Sequence, residues 1–201
     1  YLPYGSPHGI SAYDGFQVPP ANLFTVNVGG RLPGRSTVYN GVIPVYQAVI
    51  QAMDTEIGRL LRVLAERGQL DNTIIIFVGD NGTPAPVKDV ASMIRGSKAG
   101  VYEGSVRVPL VVAGPGITRT GRESKIATSA DLYATIAELA NGAPLPLNPV
   151  NNSFSLVPTF TSAQAASGRS YSFTELCNNN GTGTKLFAIR SQRYKLLYNG
   201  T

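Results

Sequence analysis

The run Thr73-Ile74-Ile75-Ile76-Phe77-Val78 constrains the fold of this 201-residue chain more than any other segment. β-Branched and aromatic side chains without a polar break suit a strand, and an unbroken rather than alternating pattern suits one covered on both faces, as in α/β sheets. The run stops at Gly79-Asp80-Asn81-Gly82, a carboxylate and an amide between two glycines. A second run of the same kind, Val108 to Ala113, ends at Gly114-Pro115-Gly116.

Helical periodicity lies on either side of these strands. Tyr46, Val49, Ile50, Met53, Ile57, Leu60, Leu61 and Leu64 recur at three- and four-residue spacing, which predicts a helix from Pro44 to Arg67 stopped by Gly68. Glu56, Arg59, Arg62 and Glu66 fall off that stripe, on a solvated face. A second helix is predicted from an N-cap at Ser129, through Leu132, Tyr133, Ile136 and Leu139, to Asn141-Gly142. Alternating helices and apolar strands are the α/β signature. Residues 1 to 43, rich in Gly, Pro, Tyr and Asn, read as a strand end followed by a long loop. After a proline- and asparagine-rich linker, Ser170 to Glu175, Leu186 to Arg190 and Tyr194 to Tyr198 read as short antiparallel strands, the last two as a hairpin. The predicted division is a core over 1–142, a linker and loop over 143–168, and a small antiparallel subdomain over 169–201.

Composition narrows the function classes. Hydrophobic residues at 43% against 14% charged fit a folded chain, and no apolar run approaches the length of a membrane span. The 17 basic and 12 acidic residues give a net charge of +5, but the basic residues are scattered, which argues against nucleic acid and fits an anionic substrate weakly. The opening Tyr1-Leu2-Pro3-Tyr4 carries no readable targeting signal, so no compartment is assigned. The single cysteine, Cys177, excludes an internal disulfide and reads as an ordinary thiol, having no basic neighbour in sequence to stabilise a thiolate.

Ligands of open α/β sheets sit outside the carboxyl ends of the strands, which is where Asp80 and Asn81 fall. Carboxylate and amide oxygens together suit a hard cation such as Ca2+ or Mg2+. Asp-Asn-Gly is also a good turn sequence, and the tripeptide alone does not separate the two readings. Lys98, in Gly96-Ser97-Lys98-Ala99-Gly100, is a solvated loop lysine or an oxyanion contact; the order feeds a strand and so is not a nucleotide-binding P-loop. His8, the sole histidine, is a bland loop residue or a proton donor facing a site.

Taken in order, these segments resemble the sulfatases of the alkaline phosphatase superfamily. The likeness runs through Pro7-His8, Met53-Asp54-Thr55-Glu56-Ile57-Gly58-Arg59-Leu60, Asp71 to Gly82, Gly96-Ser97-Lys98, Tyr102-Glu103-Gly104-Ser105-Val106-Arg107-Val108-Pro109, Ser129 to Ile136, Ala188-Ile189-Arg190 and Arg193-Tyr194-Lys195-Leu196. Ser105 stands where the family commonly has a second glycine, and Gly79 where it has serine.

The resemblance implies an alkaline phosphatase-like α/β fold, a mixed, mostly parallel sheet flanked by helices, incomplete here, with a small C-terminal antiparallel region. It implies Asp80 and Asn81 as calcium ligands, and Lys98 and His8 as contacts to the sulfate and its bridging oxygen, one of them helping the alcohol depart. Glu103 and Arg107 match a segment read as structural. The family's Cys/Ser-x-Pro-x-Arg motif, whose first residue becomes formylglycine, does not occur in these residues. The expectation is therefore the later part of a sulfatase domain, cut before its nucleophile segment and inactive alone. Its partners would be a sulfated small molecule or carbohydrate, with a complementing N-terminal segment or self-association through unpaired strand edges. The alternatives are a non-catalytic folded module, or a phosphodiesterase or phosphonate hydrolase of the same superfamily.

Overall fold

A computed structural model describes residues 39–88, 94–144, 152–166, 168–177 and 185–200. The predicted loop ahead of residue 39, with His8, lies outside them, as do the centre of the predicted linker and the Asn178 to Gly183 run. The chain separates into two compact units. The described residues up to Asn72, with those of Thr83–Met93, form the first; Thr73–Gly82 with those of Ile94–Thr201 form the second.

The first unit is dominated by helix α1, Tyr39–Glu66, which begins ahead of Pro44 rather than at it. Its end follows the prediction. Gly68 takes φ +64°, its N–H donates to Ala65 O at 2.9 Å, and the Gln69 N–H donates to Leu64 O at 2.8 Å. This paired closure needs a left-handed residue where only glycine escapes strain. Short 3-10 turns at Leu70–Asn72 and Ala85–Val87 complete the described part of the unit.

In the second unit, strand β1, Ile75–Val78, pairs with β2, Leu110–Ala113, in the register Ile75↔Ala113 to Val78↔Leu110. The pairing is antiparallel. The remaining described strands, β3 Tyr171–Leu176, β4 Lys185–Ser191 and β5 Lys195–Gly200, form a three-stranded sheet in that order, also antiparallel throughout. The mixed, mostly parallel sheet expected from sequence is thus overturned. Parallel neighbours need a crossover of a dozen or more residues, usually helical. Between Val78 and Leu110 the only described helices are the three-residue turn at Ala85–Val87 and a four-residue helix α2, Glu103–Val106, and the chain simply returns alongside itself. Nor are these strands covered on both faces, because Phe77, Val78 and Val111 are exposed. An unbroken apolar run is compatible with a short, half-covered strand, which periodicity cannot distinguish from a fully buried one.

Helix α3, Asp131–Asn141, closes on Gly142 at φ +70° as predicted, but its start differs. Ser129 is not the cap. Instead Asp131 Oδ2 accepts from the Thr128 N–H at 2.8 Å and its hydroxyl at 3.2 Å, a side chain reaching back to the helix entry. Asp131 is completely buried and forms a two-pronged pair with Arg169, Nε to Oδ2 at 2.8 Å and Nη2 to Oδ1 at 2.6 Å. Phe154 N–H also donates to Asp131 Oδ1, and Arg169 Nη2 to Asn152 O. A buried carboxylate so fully satisfied ties α3 to the segment through Arg169. Ile126, Ala134, Leu156 and Phe160 are buried in the same unit, and helix α4, Val157–Thr161, packs on α3.

Candidate functional site

The candidate site begins where β1 ends. Gly79 extends the ladder by one step, its N–H donating to Pro109 O at 3.0 Å. A methyl there would lie 3.1 Å from Val108 Cβ and 3.2 Å from Pro109 Cδ, so a bare backbone fits this approach. Asp80 and Asn81 follow, both exposed at the carboxyl end of the strand. Asn81 turns its amide nitrogen inward, donating to Gly82 O at 3.2 Å. That leaves its carbonyl oxygen and the Asp80 carboxylate without a hydrogen-bond or ion-pair partner among the described residues.

Gly82 is the anchor. Its N–H donates to Ser105 O at 2.8 Å, and a Cβ there would sit 1.9 Å from Gly104 O, a collision no side-chain adjustment relieves. The Asp80-Asn81 turn is therefore seated directly on the backbone of α2.

The Lys98 turn is seated on the same helix. Gly104 N–H donates to Arg95 O at 2.8 Å, and a Cβ on Gly104 would lie 2.3 Å from Gly96 O. Gly96, at φ +91°, has Tyr102 Cβ where its own Cβ would be, at 2.5 Å; Gly100 has Ser105 Oγ at 2.8 Å from that position. The Arg95 guanidinium lies over the Tyr102 ring, 4.2 Å from its centroid. Within this turn Ala99 adopts φ +67°, a left-handed conformation costly for a residue with a Cβ. Lys98 is exposed and also has no hydrogen-bond or ion-pair partner among the described residues.

The structure thus brings the Asp80-Asn81 turn and the Lys98 turn onto one four-residue helix, through glycines at 82, 96 and 104. The arrangement offers a carboxylate, an amide oxygen and an ammonium, each with its charge or lone pairs uncommitted. His8 lies outside the described residues. Among the described residues no three His, Cys, Asp or Glu side chains gather into a metal-holding group.

Two features escape sequence reasoning. Glu103 Oε1 accepts from Lys195 Nζ at 2.9 Å, and its Oε2 lies 3.5 Å from Arg190 Nε, so a residue of α2 is held by two cations from the C-terminal sheet. Glu103 and Lys195 are 92 positions apart, and no local pattern announces such a pair. Ser105 is buried, and its hydroxyl has no hydrogen-bond partner among the described residues. The only available signal was its departure from a glycine expected at that place.

Comparison with known proteins gives the following. The model of the family described as Sulfatase matches residues 1–143. Arylsulfatase A of Homo sapiens is 32% identical over 150 residues, covering 73% of this chain and 29% of that protein. Choline-sulfatase of Rhizobium meliloti (strain 1021) is 29% identical over 153 residues, covering 76% of this chain and 28% of that protein. Among solved structures, Ps i-CgsB in complex with k-i-k-neocarrahexaose aligns with a TM-score of 0.67 at 27% identity, covering 77% of this chain and 34% of that one. The chain spans less than half the length of each of these relatives.

Proposed function

This chain belongs to the sulfatase family, and on that premise we propose that it contributes the metal-binding and leaving-group side of a sulfate-ester hydrolase site. The observation that carries this reading is the seating of the Asp80-Asn81 turn and the Lys98 turn on one short helix, with all three polar groups uncommitted. The strained backbone at Ala99 adds weight, because such strain persists only where the surroundings enforce it.

Asp80 and Asn81 would hold Ca2+. Their oxygens fit a hard cation in kind and supply two of the roughly six to eight it takes, the rest coming from outside this pair. When bound, the ion neutralises charge on the sulfuryl oxygens. The Lys98 ammonium binds the sulfate through charge-assisted hydrogen bonds, which strengthen as negative charge develops there. His8 or Lys98 donates a proton to the bridging oxygen, lowering the cost of expelling the alcohol.

The nucleophile is a formylglycine supplied from outside these 201 residues. Cys177, followed by Asn178-Asn179-Asn180, does not match the Cys/Ser-x-Pro-x-Arg pattern from which it is made. The substrate is a sulfated small molecule or carbohydrate; the carbohydrate reading is supported by the relative solved with k-i-k-neocarrahexaose.

The test joins residues 1–201 to a formylglycine-bearing sulfatase segment and assays an aryl sulfate beside an aryl phosphodiester. Preferential sulfate turnover, abolished by Lys98→Ala, is expected. No turnover with the nucleophile correctly modified would sink the reading, and preferential phosphodiester turnover would favour the neighbouring hydrolase class. A non-catalytic role for the chain by itself predicts no turnover from residues 1–201 alone, and reproducible activity from them would refute that role.

A further inference from the structure

Helix α2 should not be able to hold its own position. Four residues are too few for helical propensity to matter, no side chain caps its start at Tyr102, and it buries the unpartnered Ser105 hydroxyl. Yet both candidate turns rest on it, at Gly82 and at Gly96. Among the described residues its one strong side-chain tether is Glu103, gripped by Lys195 of β5 at 2.9 Å and faced by Arg190 of β4 at 3.5 Å. These side chains are less exposed than ordinary surface pairs, at 28% for Glu103 and 15% for Lys195, so solvent screens them less.

We propose that Glu103 is a positioning residue of the site, through which the C-terminal sheet fixes the Asp80-Asn81 and Lys98 turns. The idea rests on the sulfatase reading for its functional consequence only. Its physical content is independent. Loss of the Glu103 charge frees α2 to shift, which loosens the two backbone hydrogen bonds that seat the turns, Gly82 N–H to Ser105 O and Gly104 N–H to Arg95 O.

The test measures amide exchange at Gly82 and Gly104 in the full 201-residue chain, for Glu103→Gln, Lys195→Met and the charge-exchanged pair Glu103→Lys with Lys195→Glu, the last made together with Arg190→Gln so that no cation faces the new lysine. Glu103→Gln and Lys195→Met are each expected to accelerate exchange at the two glycines roughly tenfold, leaving amides in the middle of α3 unchanged. The exchanged pair restores protection, a rescue that loss of packing alone does not give. Unchanged glycine exchange in Glu103→Gln, or equal acceleration throughout the molecule, would overturn the proposal. In the completed enzyme Glu103→Gln lowers kcat by roughly tenfold or more with KM little changed, as expected of misplaced catalytic groups. If the wild-type site turns out not to hydrolyse sulfate esters, the exchange data still decide the role of Glu103.

Discussion

Gly82 carries the tightest approach in the site, and its substitution is the sharpest test of how the two turns are held. Gly82→Ala drives a methyl into Gly104 O, and the expected loss is about 3 kcal/mol in urea unfolding, the upper end for overpacking. Gly58→Ala, in the exposed middle of α1 with nothing within 4 Å, should instead gain roughly 0.5 to 1 kcal/mol. Glu123 gives a pH-dependent prediction. Burial works against its charge, yet hydrogen bonds from Arg119, Lys125 and the Ser124 N–H hold its carboxyl down to about 2. A depressed carboxyl contributes stability in full above the unfolded value of 4.5 and loses it as pH falls through about 2. The stability–pH curves of wild type and Glu123→Gln should therefore run apart above that window and converge within it. Sequence exposed Asp80, Asn81 and Lys98 because glycines flank them and a strand runs in. It pointed to Glu103 only as structural and hid its partners, which come from the other end of the chain.

At the level of elements, legibility followed locality. The end of α1 could be read from Gly68 and the end of α3 from Gly142, since each depends on one residue's φ. The β4–β5 hairpin was legible too, and Ser191 shows why: its hydroxyl accepts from the N–H groups of Arg193 and Tyr194, closing the turn locally. The antiparallel order of β3, β4 and β5 was legible, but the direction of β1 against β2 was not, because an apolar run from Ile75 to Val78 says nothing of what lies beside it. The start of α3 was misplaced because Asp131 answers Thr128 and Arg169 together. That pair tests the element as a whole. Asp131→Asn or Arg169→Met breaks the buried two-pronged pair and should cost roughly 3 to 5 kcal/mol in chemical unfolding, with the double variant losing less than the sum.

For the molecule as a whole, the C-terminal sheet is the feature that matters most. Its order β3-β4-β5 leaves an unpaired edge on β3 and on β5 among the described residues. The registers Phe173↔Ile189 and Ile189↔Leu196 put three apolar residues in one row across the sheet, and Phe187↔Tyr198 adds a stacked pair on the same face. Phe173, Ile189, Leu196 and Tyr198 are all exposed, Leu196 at 69%. Free edges beside an apolar face favour association. Sedimentation velocity over a wide concentration range should show reversible self-association that Leu196→Lys weakens; a monomer at every concentration would contradict it. The family could be read from the order of motifs along the chain, whereas the dependence of the candidate site on this sheet needed the fold.

Descendants of this chain that lost Lys98, or either oxygen donor, would still need glycine at 82 and 104, where one backbone presses on another, and at 96, which takes φ +91° against the Tyr102 Cβ, whatever chemistry the turns perform. Decay of function and decay of motif are thereby uncoupled. A lineage could fall silent as an enzyme and keep its glycine signature for as long as it kept folding. The glycines thus report on the scaffold, and the residues standing between them on the chemistry.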